Sequence, residues 1–430
     1  MSGEPRPAVP AGPYLVVGLA RSGTAVARVL SARGEVRACD ATSPQVHLEG
    51  VDVQLESEGL ELLDGVRTVV KSPGVPQTAP VLAAARSRGI DVLGELEVAW
   101  RLLPNEFVAV TGTNGKTTTT ELLGAMHREA GIPTAIAGNV GTALSSLVGT
   151  VAPEAVVVAE CSSFQLEDSV AFAPECAVLI NLAEDHLDRH GSFEAYRAAK
   201  LRAFERQRNS DVAVVPHGFA VSTAAQVVSF GGGDLRHRDD ALFWRGERLI
   251  GVGDVRLRGA HNIENAMAAS AAALARGVPP DAVRAALSTF AGVEHRLEEV
   301  ARRDGVLYVN DSKATNVAST RVALEAFDGA HIHLIAGGRP KPGGFTALQD
   351  LVEQRCNAVY AIGEASDQIE HDLAGAAPVV AAGDLSHAVD AARGAARTGE
   401  VVLLSPACAS FDQYRDFEAR GRHFRELVEA

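Results

Sequence analysis

Short, nearly uninterrupted apolar runs recur along the chain, each ended by glycine or a polar cluster and followed by a helical pattern. Tyr14-Leu15-Val16-Val17 gives way to Gly18-Leu19-Ala20-Arg21-Ser22-Gly23, then to a predicted helix from Thr24 to about Ala32 and a run ending in Cys39-Asp40. Val66 to Val70 is the next such run, ending in Lys71-Ser72-Pro73-Gly74. Apolar runs this short, bounded by turn residues, read as buried strands. Phe107 to Val110 repeats the pattern, with Thr111-Gly112-Thr113-Asn114-Gly115-Lys116-Thr117 directly after it. The helical pattern that follows runs through Met126 and stops at Gly131 and Pro133. Strands are predicted at Ala155 to Ala159, Ala177 to Ile180 and Val212 to Val215, and hairpins around Val227 and from Leu242 to Ile250. Two helices, about Ile263 to Arg276 and Asp281 to Leu287, come next. Beyond Gly292 to His295, apolar runs at Val306 to Val309, His331 to Ala336, Ala358 to Ile362 and Val401 to Leu404 alternate with helical stretches. In the helix predicted to start near Asn316, Val317, Leu324 and Phe327 fall on one stripe.

Alternation of strand and helix implies mostly parallel sheets with helices packed on them. At about 150 residues per domain, 430 residues make roughly three domains. The pattern divides the chain at Glu95 and near Gly292, giving 1–94, 95–292 and 293–430 as three α/β domains in series.

Composition narrows the function classes. Hydrophobic residues at 47% and charged residues at 22% are ordinary globular values. Aromatics at 5% argue against a base-stacking nucleic-acid binder. Forty Lys and Arg against 54 Asp and Glu give a net charge of -14, which repels polyanions, so a phosphate ligand has to be held by local geometry. Cys39, Cys161, Cys176, Cys356 and Cys408 are scattered with no C-x-x-C spacing, which disfavours a disulfide framework or zinc cluster and suits a reducing compartment. The start, MSGEPRPAVPAGPYL, has no apolar h-region, and no run approaches the roughly 18 residues of a membrane span. A cytoplasmic protein without membrane insertion is expected.

The strongest chemical signal is Gly112 to Thr117, placed between a strand and a helix. Glycines let backbone wrap phosphate oxygens, the helix N-terminus points its N–H groups at them, Lys116 adds a charge and Thr117 a hydroxyl suited to Mg²⁺. Val110 stands where a standard phosphate loop has its first glycine. Glu160 closes an apolar run, where a carboxylate facing a metal and a solvated strand-end acid are both open readings. Asn181 to Asp188 ends another run with several polar groups, and Lys200 by itself reads as a surface lysine. In the first segment the glycines are spaced G-x-x-x-x-G instead of G-x-G-x-x-G, which leaves a dinucleotide oxidoreductase as the alternative. The Ser72-Pro73-Gly74 loop is either a phosphate contact or a plain turn.

Taken together, TGTNGKT (111–117), ECSSFQLE (160–167), EDHLDRH (184–190), YRAAKL (196–201), GAHNIENA (259–266), HR (295–296), NDSKATN (310–316) and SPACASFDQYRDFEARG (405–421) resemble the Mur ligases. NDSKATN and SPACAS are typical of the branch that adds D-glutamate, and the Asp-Asn-Pro-Arg signature of diaminopimelate-adding relatives is absent. Folylpolyglutamate synthases share the loop but lack a domain like the segment ahead of it.

The resemblance implies a Rossmann-like N-terminal domain for the UDP substrate, a central P-loop ATPase domain and a Rossmann-like C-terminal domain for D-glutamate. It implies ATP-dependent amide bond formation through an acyl phosphate, with UDP-N-acetylmuramoyl-L-alanine as acceptor, in peptidoglycan precursor synthesis by a monomer. By the same resemblance Ser22, Asp40, Ser72, Pro73 and Gly74 contact the UDP part, and Asn139, Ser162 and Gln165 the muramoyl-alanine end. Gly112, Thr113, Asn114, Gly115, Lys116, Thr117 and Thr118 hold the triphosphate, with Asn265, Arg296 and Asp311 on the nucleotide. Thr117 and Glu160 bind one Mg²⁺, and His186 with a carbamylated Lys200 a second; Lys116, Glu160, His186 and Lys200 form the catalytic set. Lys313, Thr315, Lys341, Ser410 and Phe417 form the D-glutamate site. The family's Gly-Gly-Asp-x-Lys turn reads Gly337-Gly338-Arg339-Pro340-Lys341 here, so a cation stands where an acid is usual.

Overall fold

The computed structural model describes residues 5–257, 259–327, 329 and 331–430; the first four residues of the proline-containing start lie outside these. A first unit is carried by residues up to Arg256 and by His261–Phe290, a second by Leu257–Ala260 and Ala291–Ala430.

In the first unit, Tyr14–Val17 (β1), Val36–Asp40 (β2), Asp52–Leu55 (β3), Thr68–Lys71 (β4) and Asp91–Gly94 (β5) form a parallel sheet in the order β3-β2-β1-β4-β5. The period of two splits the run of β1 between both faces: Tyr14 and Val16 pack in one core, Leu15 and Val17 in the other. That is why a strand covered on both sides reads as unbroken apolar sequence.

The unit's larger sheet holds Phe107–Thr111 (β6), Thr134–Gly138 (β7), Val156–Glu160 (β8), Cys176–Leu179 (β9), Val212–Pro216 (β10), Gln226–Phe230 (β11), Leu235–Arg238 (β12), Ala241–Trp244 (β13) and Glu247–Gly251 (β14). Their order is β14-β13-β12-β11-β10-β9-β6-β8-β7. Beneath it, the Phe172 ring packs edge-on against Trp100 at 5.8 Å and Phe107 at 6.3 Å between centroids, a geometry that adds to plain burial.

The second unit repeats the plan with Glu298–Arg303 (β15), Val306–Asn310 (β16), Ile332–Gly337 (β17), Cys356–Ile362 (β18), Val379–Gly383 (β19) and Val401–Leu404 (β20), ordered β15-β16-β20-β17-β18-β19. Only β15 runs antiparallel. Along β16, Leu307 and Val309 face one core and Val306 and Tyr308 the other.

One expectation needs correction and another holds. The run around Val227 is not a hairpin arm: β11 pairs in parallel with β10, because residues 217–225 carry the chain back before the strand begins. The hairpin expected from Leu242 to Ile250 is present as β13 and β14, joined at Arg245 (φ 47°) and Gly246 (φ 97°), the left-handed pair that such tight turns favour. Strands absent from the sequence reading are β3, β5, β7, β15 and β19, each at a sheet edge, and the polar β12. β3 (DVQL) and β15 (EEVARR) carry no continuous apolar run, so the pattern passes over them, whereas β7 (TAIAG) and β19 (VVAAG) are short apolar runs of mostly small residues that were not read as strands.

Gly23, the second glycine of the spaced pair, sits at a close approach. A Cβ there would lie 1.8 Å from the Gly18 carbonyl and 2.6 Å from the Ser72 hydroxyl. Gly23→Ala is therefore expected to lower unfolding stability by about 3 kcal/mol through overpacking. Urea denaturation checks it, and a loss below about 0.5 kcal/mol would contradict the close contact.

Candidate active site

Parallel strands deliver all their following loops to one edge, and that edge is where α/β sheets bind ligands. In the larger sheet the register sets Val110 against Glu160, Glu160 against Gly138, and Thr111 against Leu179. The loops after β6, β7, β8 and β9 therefore stand side by side.

The loop after β6 needs its glycines. Gly112 has φ 155°, and Gly115, φ 82°, has no room for a Cβ, which would fall 2.0 Å from Asn265 Oδ1. Asn265 is thus brought against the loop. The loop leads into the helix Lys116–Glu129, whose first turn has no acidic residue, leaving its N–H groups and positive dipole end available to an anion. Thr117 and Thr118 sit in that turn. Asn181 holds the loop from the neighbouring strand: its Oδ1 accepts from the Thr113 N–H at 3.1 Å and the Asn114 N–H at 2.9 Å. That role was legible only as an unassigned polar residue at a strand end.

Lys116 Nζ donates to the Gly112 carbonyl at 2.9 Å and the Thr113 carbonyl at 2.8 Å. Lys200 corrects the surface reading. On the helix Phe193–Glu205, started by Ser192 accepting from the Ala195 N–H, it is 2% exposed and donates to the same Gly112 carbonyl at 2.7 Å. Burial, and then the neighbouring Lys116 charge, pull its amine down to about 7. Helical sequence alone gave no sign of this, because the apolar stripe around it does not say that the loop after β6 covers it.

Glu160 is buried, and its Oε1 accepts from Asn139 Nδ2 at 3.0 Å. Ser162 caps the next short helix in a reciprocal pair with Gln165: Ser162 N–H donates to Gln165 Oε1 at 3.0 Å, and Gln165 N–H to Ser162 Oγ at 3.3 Å. His186 is exposed, with its ring 4.8 Å from Phe164 and 6.4 Å from Tyr196 between centroids. Lys200 Nζ lies 4.6 Å from the same Tyr196 ring, and the Tyr196 hydroxyl is 3.0 Å from Thr113 Oγ1. Tyr196 thereby links the His186 segment, Lys200 and the phosphate loop.

Toward the first sheet a cleft of about 890 Å³ opens, lined by Ser22, Asp40, Ser72, Pro73, Gly74, Asn139 and Gln165. It gathers seven of the eight expected acceptor contacts, and Ser162 is bonded to one of them. Asp40 shapes the cleft: Oδ2 accepts from the Leu19 N–H at 2.6 Å, and Oδ1 from the Thr42 N–H at 2.8 Å. Arg189, unassigned from sequence, donates to the carbonyls of Pro73, Gly74 and Val75 and to Glu167, fixing the 72–75 loop.

In the second unit the loops after β16, β17 and β20 share one sheet edge. The first carries Asp311, Lys313 and Thr315, the second Lys341, the third Ser410, and Phe417 opens the helix Phe417–Glu429. Ser410 is buried, and Lys313 Nζ lies 5.9 Å over the Phe417 ring. Burial pushes the Asp311 carboxyl up to about 7, against the Ser405 hydroxyl and Leu297 N–H that favour its charge. Arg339, the departure in the glycine turn, pairs with Glu364 at 3.2 Å on the exposed surface, so its charge is directed to a neighbouring acid. Arg296, assigned to the nucleotide, belongs to this unit as well.

A Mur ligase middle domain model matches residues 110–273, and a Mur ligase glutamate ligase domain model matches residues 295–408. The UDP-N-acetylmuramoylalanine--D-glutamate ligase of Koribacter versatilis is 43% identical, with 96% of each chain covered. That of Acidobacterium capsulatum is 42% identical over 96% of this chain and 95% of its own. The chain belongs to the Mur ligase family. Among solved structures, UDP-N-acetylmuramate-alanine ligase from Thermotoga maritima superposes with a TM-score of 0.60 at 21% identity, covering 97% of this chain and 99% of its own. The MurF ligase of Thermotoga maritima in complex with ADP matches with a TM-score of 0.60 at 16% identity, covering 98% and 96%; both share the fold. Membership of a ligase family retires the oxidoreductase reading of the first segment.

No cysteine is assigned a chemical role, and the surroundings of each disfavour its thiolate. Burial pushes Cys39, Cys176, Cys356 and Cys408 up to about 12, and Cys161 further. In native protein at pH 8, iodoacetamide is expected to label the five cysteines about a thousandfold more slowly than a free thiol. Rapid labelling of Cys161, which follows Glu160 directly, would contradict this account of the site.

Proposed function

We propose that this chain joins D-glutamate to UDP-N-acetylmuramoyl-L-alanine at the expense of ATP, in the synthesis of peptidoglycan precursors. We assign the acceptor to residues 1–94, ATP to 95–292 and D-glutamate to 293–430, in a monomeric cytoplasmic enzyme. The observation that carries the reading is the pair of lysine amines on the Gly112 carbonyl, beside Glu160 and an acid-free helix N-terminus. Such a site is built for a polyanion, and the acceptor cleft adjoins it through Asn139. The names of the relatives at 40% identity or more support the choice of amino acid.

The chemistry joins two anions. The alanyl carboxylate attacks the γ-phosphorus of ATP, releasing ADP and leaving an acyl phosphate. The D-glutamate amine then attacks the acyl carbon, phosphate departs with the C–O bonding pair, and the amine sheds its proton. The backbone N–H groups of the loop and Lys116 hold the phosphates and stabilise charge as it builds in the transition state. Asn139 and Gln165 orient the acceptor's reacting end, an entropic gain as much as an electrostatic one. Lys313, Thr315, Ser410 and Phe417 are assigned to the glutamate.

The donor set fits Mg²⁺. Thr117 and Glu160 present oxygens, which this hard cation prefers; Thr117 lies in the first turn of the helix that follows β6, and Glu160 ends β8, the strand paired with β6. No group of three or more His, Cys, Asp or Glu side chains that could hold a metal forms among the described residues, so phosphate and water oxygens would complete the shell. A second ion would be held by His186 and by Lys200 once CO₂ has converted its amine to an anionic carbamate. When bound, the ions neutralise the charge of the reacting anions.

The direct test is phosphate release with ATP, Mg²⁺ and UDP-N-acetylmuramoyl-L-alanine while the amino acid is varied. Release with D-glutamate and none with L-glutamate, L-alanine or diaminopimelate is expected; release with another of these amino acids and none with D-glutamate would overturn the assignment. Lys116→Ala is expected to cut turnover at saturating ATP at least a hundredfold, the scale of losing a fixed electrostatic donor. Retention of a tenth of wild-type turnover would count against the loop's role. Lys200→Ala is expected to lose a similar factor and to regain part of it with added acetate or formate. Wild-type enzyme stripped of bicarbonate below pH 7 should weaken too, because a protonated amine does not hold CO₂. Full activity of Lys200→Ala without added carboxylate would exclude the carbamate.

A further inference from the structure

Arg420 is 1% exposed and sits one turn into the helix Phe417–Glu429. Its guanidinium reaches three loops at the edge of the second unit's sheet. Nε donates to Ser312 Oγ at 3.0 Å, and the two terminal nitrogens donate to the carbonyls of Ser312 at 2.9 Å, Cys408 at 3.1 Å and Gly337 at 3.4 Å. Ser312 precedes Lys313, Gly337 opens the turn that leads to Lys341, and Cys408 lies two residues before Ser410. The Ser312 hydroxyl passes the connection on, donating to the Phe417 carbonyl at 2.8 Å. One side chain thus bonds every loop that carries a residue assigned to the glutamate, and through Ser312 the helix start as well.

The packing leaves the guanidinium little freedom. A Cβ on Gly338 would lie 3.1 Å from one of its terminal nitrogens. The loops after β17 and β20 are also tied by a reciprocal backbone pair, Arg339 N–H to the Ala409 carbonyl at 2.9 Å and Ala409 N–H to the Arg339 carbonyl at 3.1 Å. Burial lowers Arg420 to about 10, so it remains a cation at neutral pH. Its hydrogen bonds above go to carbonyls and a hydroxyl, and none goes to a carboxylate. A buried charge held in this way is expensive as a stabilising device, which argues for a task that an apolar side chain would not perform. A planar fork of five N–H groups is suited to holding several acceptors in a fixed relation, and a lysine cannot reproduce it.

We propose that Arg420 is the positioning residue of the amino-acid pocket, clamping the loops after β16, β17 and β20 so that the groups flanking its three anchors meet one dicarboxylate amino acid together. The proposal rests on the D-glutamate reading of this unit. Arg420 acts through the loops and does not itself contact the substrate. Its removal therefore weakens recognition of one substrate out of three.

The test is steady-state kinetics on full-length Arg420→Lys and Ser312→Ala, with thermal melting alongside. In Arg420→Lys the KM for D-glutamate is expected to rise about tenfold or more, with the KM values for ATP and the UDP-sugar within about twofold and kcat falling less than the D-glutamate KM rises. Ser312→Ala keeps the charge and cuts one link, so a selective rise of roughly threefold is expected. A folded Arg420→Lys whose D-glutamate KM stays within twofold of wild type, or whose three KM values rise equally, overturns the proposal. Should Arg420→Lys not fold, Ser312→Ala decides alone, and an unselective or absent change in its KM values overturns it. A wild type that ligates no D-glutamate defeats the underlying reading first, and the proposal with it, a result separate from every variant outcome.

Discussion

Two lysine amines share one backbone carbonyl, and the catalytic edge is organised around that constraint. Lys116 and Lys200 both donate to Gly112, a residue whose φ of 155° turns the loop between them. Two ammonium charges so close, one of them buried, repel each other and lose solvation. The burden falls on Lys200, whose amine is held down to about 7. Under the proposed function the more exposed Lys116 serves the phosphates, and Lys200, with its amine held down, is the group proposed to take up CO₂. A polyanion bound in the loop relieves the repulsion, so the same crowding that prepares Lys200 also favours the ligand.

The rest of the molecule supplies that edge with neighbours. Buried parallel strands carry their loops to a common side, and this happens in each of the three sheets. Glu160 reaches the phosphate loop because β8 pairs with β6 in the register that sets it against Val110. Asn139 joins it because β7 pairs with β8. In the second unit the edge is held by an interior cation instead of interior amines, with Arg420 bonded to three loops. In each unit a buried basic side chain bonds backbone carbonyls beside the residues proposed to meet an anionic substrate.

Much of this was legible in the sequence, for identifiable physical reasons. Strands buried on both faces, such as β1, β6 and β16, are unbroken apolar runs, and the phosphate loop is short-range chemistry read from adjacent residues. Edge strands such as β3 and β15 were missed because one side of each meets solvent and polar residues break the apolar signal. Seven of the eight residues expected to contact the acceptor line one cleft, although Asp40 is engaged there with the backbone of Leu19 and Thr42. Lys200 could not be read as buried from its own helix, because its cover comes from a loop 88 residues away. Asn181, Arg189 and Arg420 were passed over for a similar reason: each acts on backbone N–H or C=O groups of distant loops, and a backbone partner leaves no mark in sequence.

The central claim is that this edge brings a carboxylate to the γ-phosphate of ATP so that an acyl phosphate forms. Oxygen transfer tests it most directly. UDP-N-acetylmuramoyl-L-alanine labelled with ¹⁸O in the alanyl carboxylate is incubated with ATP, Mg²⁺ and D-glutamate, and the released phosphate is analysed by mass. The account predicts one labelled oxygen in each phosphate released during ligation. Ligation that proceeds with unlabelled phosphate would contradict it.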